Sequence, residues 1–370
     1  MRGPGGTPQP SAGGVCSALF AYDVSLAIDL DRAARRIHAA TERSGIRTRR
    51  RAPQYFEFRP APLRVTQDAV PLSFDGFQSE PRVEVTLFDF GAVSVCYRIP
   101  VSGRFEDMLA LAEALFENET LLRDSRARVE ALVRAIGEAF DRPEVSTEVE
   151  DYMIFQLDAP LPEIHAGAND LGLAQILRCE RAALSLDEVR DATAQRISFT
   201  PDDFAMVDWN AALLVGPEMD DVHAVLEFVN VALLEMRLLD RQLDRALDHA
   251  YESLSRRPWA RLRFPGYGDA QAVRIGQMQV DSAIAFERLT NTVKLLGDQY
   301  LARVYRLGAQ RFHLESWDRG IQRKLQTLES IYGKITDRVA AQRLEALEWI
   351  IIILIAISIV LPFVPGVYPH

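Results

Sequence analysis

Residues 226–240 read LEFVNVALLEMRLLD, a segment that is apolar at most positions yet carries Glu227, Asn230, Glu235, Arg237 and Asp240. A helix that is apolar nearly all round must be buried, and buried charges need partners. Glu227, Asn230, Arg237 and Arg241 return at helical spacing and share one face. With Asp240 they form a candidate polar network that could knit a domain or subunit contact together, or hold a small molecule or ion. Further along, Arg237, Arg241 and Arg245 interleave with Asp240, Asp244 and Asp248, the pattern of a solvated ion-pair face.

Two other groups of residues could make contacts. Asn291, Lys294 and Asp298 fall around Gly297 in a helical pattern, which suits a polar seam where two helices pack closely. The loop SRRPWARLRFPGYG sets Arg256, Arg257, Arg261 and Arg263 beside Trp259, Phe264 and Tyr267, a mixture fit for phosphate contact with aromatic stacking. RNA, a ribosome or lipid head groups are the ligands it would suit, and an ordinary linker is the alternative. Arg43, Arg47, Arg49, Arg50 and Arg51 form a second basic cluster, equally compatible with a solvated segment before a strand. The chain as a whole carries a formal charge of −10, so direct DNA binding is not expected.

Catalytic signatures are missing from the sequence. There is no phosphate-binding glycine loop, no nucleophile elbow and no paired-cysteine or His-x-x-x-His metal spacing. Glu148, Glu150 and Asp151 cluster without a partner base and read as the solvated start of a strand. Cys16, Cys96 and Cys179 are far apart and read as reduced thiols. No catalytic residue, metal ligand or cofactor is therefore assigned, and a non-enzymatic role is expected.

The elements that must position these residues divide the chain in two. Val83, Val85 and Leu87 alternate with polar neighbours, and Val93, Val95, Tyr97 and Ile99 do the same beyond Gly91, which predicts a hairpin. Strands are also expected at 55–58, 152–157 and 206–215, with helices at 31–42 and 105–140. Ser185 and Glu188 match a capping box at a helix start. This is an α+β pattern with a mixed or antiparallel sheet. From Pro217 the strands stop and a long helix runs to about residue 254. Phe286, Leu289, Val293, Leu296, Tyr300 and Leu307 follow heptad spacing, as do Leu325, Leu328, Tyr332, Ile335, Val339, Gln342, Ala346 and Trp349. Long antiparallel helices forming a coiled-coil-like stalk are expected, paired within the chain or between subunits. The expected division is a flexible leader at 1–14, an α+β domain at 15–216, a helical domain and stalk at 217–348, and a transmembrane helix at 349–368.

That last segment, WIIIILIAISIVLPFVPGVY, begins with Trp349, Ile350, Ile351, Ile352, Ile353 and Leu354, ends at Tyr368 and contains no charged residue. As a helix it would match a hydrocarbon core of about 30 Å, with Trp349 and Tyr368 as interfacial aromatics. The expectation is a single-pass C-terminal tail anchor. Lys334, Arg338 and Arg343 on its N-terminal flank place the rest of the chain on the cytoplasmic side.

At Leu347-Glu348-Trp349, followed by IIIILI, and in LEFVNVALLEMRLLD and KLLGDQYLARVYR, the chain resembles the required-for-meiotic-nuclear-division family of membrane-anchored proteins. The resemblance implies an α/β domain leading through helices into an LEW-type anchor, in a bacterial inner membrane or an organelle membrane. It also implies a tendency to oligomerise, no established catalytic activity and, for the mitochondrial member, support of translation by tethering ribosomes. The expected function is a tail-anchored, oligomeric scaffold that recruits a ribosome or other protein partner. The alternative is an ion-transport component, by analogy with CorA-type magnesium channels, although the Gly-Met-Asn signature of those channels is missing. An enzyme built on the 227–240 network is third.

Overall fold

The computed structural model describes residues 13–44, 47–48, 61–102, 104–158, 169–201, 203–255 and 299–360, with short helical pieces between 276 and 287. The chain forms two compact units, one comprising Met1–Leu238 with Ala285–Asp318, the other Leu239–Ile284 with Arg319–His370.

The first unit is α+β. Its sheet has nine strands in the order β11-β12-β13-β10-β1-β8-β7-β4-β3. The central strands are β1 (Gly14–Asp23), β8 (Ala92–Val101) and β10 (Glu150–Leu157), flanked by β4 (Leu63–Asp68) and β7 (Arg82–Leu87) on one side. On the other side lie β13 (Ala211–Val215), β12 (Phe204–Val207) and β11 (Arg196–Ile197), and β3 (Arg47–Thr48) closes the far edge. Pairing is antiparallel except between β10 and β13, which run parallel, so the sheet is mixed.

Alternation along the strands assigns each face. Cys16, Ala18, Phe20 and Tyr22 of β1 join Val93, Val95 and Tyr97 of β8 and Met153 and Phe155 of β10 in one core. Helices α1 (Leu30–Ser44), α2 (Phe105–Leu115), α3 (Glu119–Ile136) and α4 (Asp170–Arg178) cover that face. On the opposite face are Ser17, Leu19, Ala21, Ser94, Cys96 and Tyr152. Two helices beyond α5 (Leu186–Thr193) lie against it: the sheet-bound turns of α6 (Asp220–Ser255) and α7 (Gln299–Arg311).

The β7–β8 hairpin forms as its alternation predicts, and its turn explains Gly91. That residue has φ +111°, and a Cβ there would lie 1.7 Å from the Ser25 carbonyl oxygen. The capping box also holds, with the Ser185 hydroxyl accepting from the Glu188 N–H at 3.2 Å. Two expected elements differ. Residues 105–140 are not one helix, because Glu117 turns left-handed (φ +51°) and Asn118 caps a new one, accepting from the Leu121 N–H at 3.0 Å. Residues 206–215 are not one strand but the β12–β13 hairpin, closed by Asp208 N–H donating to Ala211 O at 2.9 Å. The expected strand at 55–58 lies outside the described residues.

The second unit is helical among its described residues. It contains the end of α6 and most of α8 (Leu314–Val360). Leu239, Leu243, Ala246 and Ala250 of α6 are buried, as are Ile321, Leu328, Ile331 and Ile335 of α8, each series at three-and-four spacing. Both helices run N to C into this unit, and their first turns within it meet where Lys324 Nζ contacts Asp240 Oδ1 and Asp244 Oδ1, each at 2.6 Å. They therefore run side by side in the same sense rather than antiparallel. Most of the expected antiparallel partner, 286–307, lies outside the described residues until α7 begins. Leu325 and Tyr332 are half-buried beside the seam, and Trp349 is exposed. The side chains of Val339, Gln342 and Ala346 lie outside the described residues.

Among the described residues no helix is long and apolar enough to cross a membrane. The described part of α8 ends at Val360, so its charge-free stretch, 349–360, spans about 18 Å. Residues 361–370, with Tyr368, lie outside it.

Candidate functional site

The face of the sheet beneath α6 is unusually polar for an interior. Strand register sets Arg64, Thr86, Ser94, Ala21 and Glu150 in one row across β4, β7, β8, β1 and β10. The neighbouring row is Thr66, Glu84, Cys96, Leu19 and Tyr152. α6 passes across these rows. Near its start Glu227 Oε2 accepts from Arg64 Nη2 at 3.1 Å. Farther along, Arg237 Nη1 donates to both Glu150 carboxylate oxygens, at 2.9 and 2.5 Å, and Asn230 Nδ2 donates to the Glu150 carbonyl at 3.2 Å. Ten residues of helix rise about 15 Å, and four strand spacings cover about 19 Å. The two anchors thus fit a helix that traverses strands instead of following one.

Of the five residues expected to form a network, three lie over the sheet, but in two separate groups. Glu227 pairs with Arg64, while Asn230 and Arg237 serve Glu150. Asp240 belongs to the helical unit and binds Lys324. Arg241 is exposed there. Sequence spacing placed Glu227, Asn230 and Arg237 on a buried helix but carried no signal for Arg64, whose partner is 163 residues away.

Near Arg64 the layer holds further polar groups. His223 is buried one turn before Glu227, and burial, then the Arg64 charge, pulls its pKa down to about 4. It is neutral at pH 7. Burial, then the negative charge of Glu227, pushes the Cys96 thiol up to about 12. Such a thiol is a poor nucleophile, so Cys96, His223 and Glu227 share a region without the activation that covalent catalysis needs. Ser94 Oγ, His223 Nε2 and Glu227 Oε1 are buried with no hydrogen-bond partner. Among the described residues no group of three or more His, Cys, Asp and Glu is arranged to hold a metal ion.

A second constellation was not read from sequence. Asp208, in the β12–β13 turn, is fully buried and faces two guanidinium groups. Arg311, the last residue of α7, donates from Nε to Asp208 Oδ1 at 2.5 Å. Arg178, the last residue of α4, brings Nε to 2.7 Å from Asp208 Oδ2, an ionic contact without hydrogen-bond alignment. Above them both arginines reach Asp191 Oδ2 of α5, at 2.7 and 2.6 Å. Burial holds the Asp208 carboxyl above its ordinary value despite both guanidiniums, whereas the Arg311 hydrogen bond lowers that of half-exposed Asp191. Tyr152 donates to the Asp208 carbonyl at 2.9 Å, and Trp209 stacks on Phe312 with centroids 5.9 Å apart. The arrangement clamps the α7–α8 corner, where His313 has φ +52°, to the sheet. Residues isolated at 178, 191, 208 and 311 give no local pattern from which a clamp could be inferred.

The other sequence candidates lie elsewhere. The basic loop, Arg256, Arg257, Trp259, Arg261 and Arg263, and the seam Asn291, Lys294 and Asp298 lie outside the described residues, as do Arg49, Arg50 and Arg51. Glu150 and Asp151 open β10, where Glu150 is the partner of Arg237.

No solved structure matches the chain. The uncharacterized protein MJ0711 of Methanocaldococcus jannaschii is 20% identical over 204 residues, covering 54% of this chain and 61% of that protein. The chain thus matches about three fifths of that relative's length. The family match covers residues 13–221, from β1 to the first turn of α6, and so includes Arg64, Glu150, Arg178, Asp191 and Asp208 but stops short of Glu227 and Arg311. It also stops short of the segments that resemble the meiotic-nuclear-division family. Through residues 13–221, more than half its length, the chain belongs to the family described as Uncharacterized protein MJ0711, N-terminal domain.

Proposed function

We propose that this protein is a non-enzymatic, tail-anchored scaffold that presents its α+β unit on the cytoplasmic side of a membrane to recruit a protein partner. The observation that carries the reading is a change in character along α8. Upstream, its apolar side chains Ile321, Leu328, Ile331 and Ile335 are buried. From Trp349 (65% exposed) to Ile357 (50% exposed) the large apolar side chains are uncovered. In water that exposure is costly at about 25 cal/mol per Å², and a lipid phase removes the cost. The uncharged sequence continues to Tyr368, long enough in total to span a bilayer as one helix. The LEW-type resemblance supports the same reading and extends it to oligomerisation and a translation-linked partner such as the ribosome.

Flotation with liposomes tests the anchor. The full chain is expected to float with the vesicles, and a chain ending at residue 348 to stay in the aqueous fraction. A full chain that remains soluble and unbound without detergent would sink the reading. Affinity capture from native membranes, with the 256–263 arginines neutralised in a parallel sample, then tests whether recruitment runs through that loop.

A further inference from the structure

We propose that Asp23 and Glu235 share one proton beneath α6, and that losing it loosens the last turn by which α6 grips the sheet. Asp23 ends β1 on the same face as Ser17, Leu19 and Ala21, the face that α6 covers. Glu235 lies two residues before Arg237, whose guanidinium is committed to Glu150, itself the register partner of Ala21. That anchor sets Glu235 over the end of β1. Glu235 is buried, and its Oε1 has no hydrogen-bond partner.

The charged groups around the pair are mostly negative. The 142–149 segment brings Glu144 and Glu148, and its backbone is tied to β1 by Glu144 N–H to Val24 O and Ser146 N–H to Asp23 O, both 2.9 Å. β10 contributes Glu150, with Asp151 turned to the other face. α6 contributes Arg237, which Glu150 occupies, and β1 brings no cation. Two carboxylates that face one another with so little compensation retain a proton where isolated ones would not. Burial pushes Asp23 up to about 7, opposed by the Ser25 N–H and reinforced by Glu144. Burial, then the Asp23 charge, raises Glu235 well above the ordinary glutamate range.

The direction of the response follows from linkage. The folded chain keeps a proton that the unfolded chain releases near pH 4, so stability contributed here falls as pH rises from about 4 through about 7. The test is thermal melting of the full chain in detergent micelles between pH 5.5 and 8.5, together with amide exchange over 231–239. Wild type is expected to lose about 5 °C between pH 6 and 8 and to exchange faster at 231–239. Glu235→Gln is expected to remove most of that slope and to melt at or above wild type at pH 8. Asp23→Asn repeats the test from the strand side. A flat wild-type profile, or an equal slope in wild type and both variants, overturns the proposal.

Discussion

Asp208 shows what one buried carboxylate can organise. It sits where a turn, a short helix and the corner between two longer helices converge, and it compensates the charges of Arg178 and Arg311. Removing one partner of a buried ion pair leaves the other charge uncompensated, which costs about 3–5 kcal/mol. Asp208→Asn keeps the shape and loses the charge, so urea unfolding is expected to show a loss near the lower end of that range, since half-exposed Asp191 still faces both arginines. An unchanged denaturation midpoint would mean that the pair contributes nothing. Asp191 acts in the opposite pH direction from the Asp23–Glu235 pair. Its lowered pKa means that its contribution is present above about pH 4 and disappears as pH falls through its folded value. Gly91 is constrained by backbone instead of charge. Gly91→Ala would force a Cβ against Ser25 O in a left-handed conformation, and a destabilisation of at least about 2 kcal/mol in the same assay is expected.

Among the elements, legibility in the sequence followed the range of the interactions that build each one. The β7–β8 hairpin was readable because period-two alternation and a glycine turn are local signals. The long helix from Asp220 to Ser255 was readable for the same reason. The break at Glu117 and Asn118 was not, because both flanking segments keep helical periodicity and only a cap separates them. The β12–β13 hairpin was hidden because residues 204–215 are almost uniformly buried, which leaves no alternation to reveal a turn. The candidate site was legible only by half. Spacing marked Glu227, Asn230 and Arg237 as buried, but their partners Arg64 and Glu150 come from strands far away in the chain, which only the closed sheet brings beneath the helix. The α6–α8 seam allows a test at this scale. Leu328 is fully buried, and Leu328→Ala is expected to cost about 2–5 kcal/mol. Because the seam lies in the helical unit, amide exchange should accelerate over 239–255 and 319–335 and leave β1, β8 and β10 protected. Equal acceleration in both units would show that they unfold as one.

At the scale of the whole molecule, the chain leaves the sheet-bearing unit at Leu238, returns at Ala285 and leaves again after Asp318. The helical unit is therefore built from an excursion and a tail, and neither piece can bury its apolar stripe alone. Leu239, Leu243, Ala246 and Ala250 need a cover, as do Ile321, Leu328, Ile331 and Ile335. Residues beyond 348 add nothing to that seam, since every large apolar side chain described from Trp349 to Ile357 is exposed. Two truncations should consequently behave in opposite ways. A chain ending at residue 348 keeps both stripes and is expected to melt within about 3 °C of the full chain, while losing the surface assigned to lipid. A chain ending at residue 318 retains the sheet, the clamp at Asp208 and the α6 stripe but strips away the cover of that stripe. Its uncovered leucines form an apolar patch on a helix, and size-exclusion chromatography is expected to show self-association or aggregation. If the 318 chain instead ran as a stable monomer, the α6 stripe would have to be covered from within 256–298, and α8 would be a passenger on the helical unit, not half of its core.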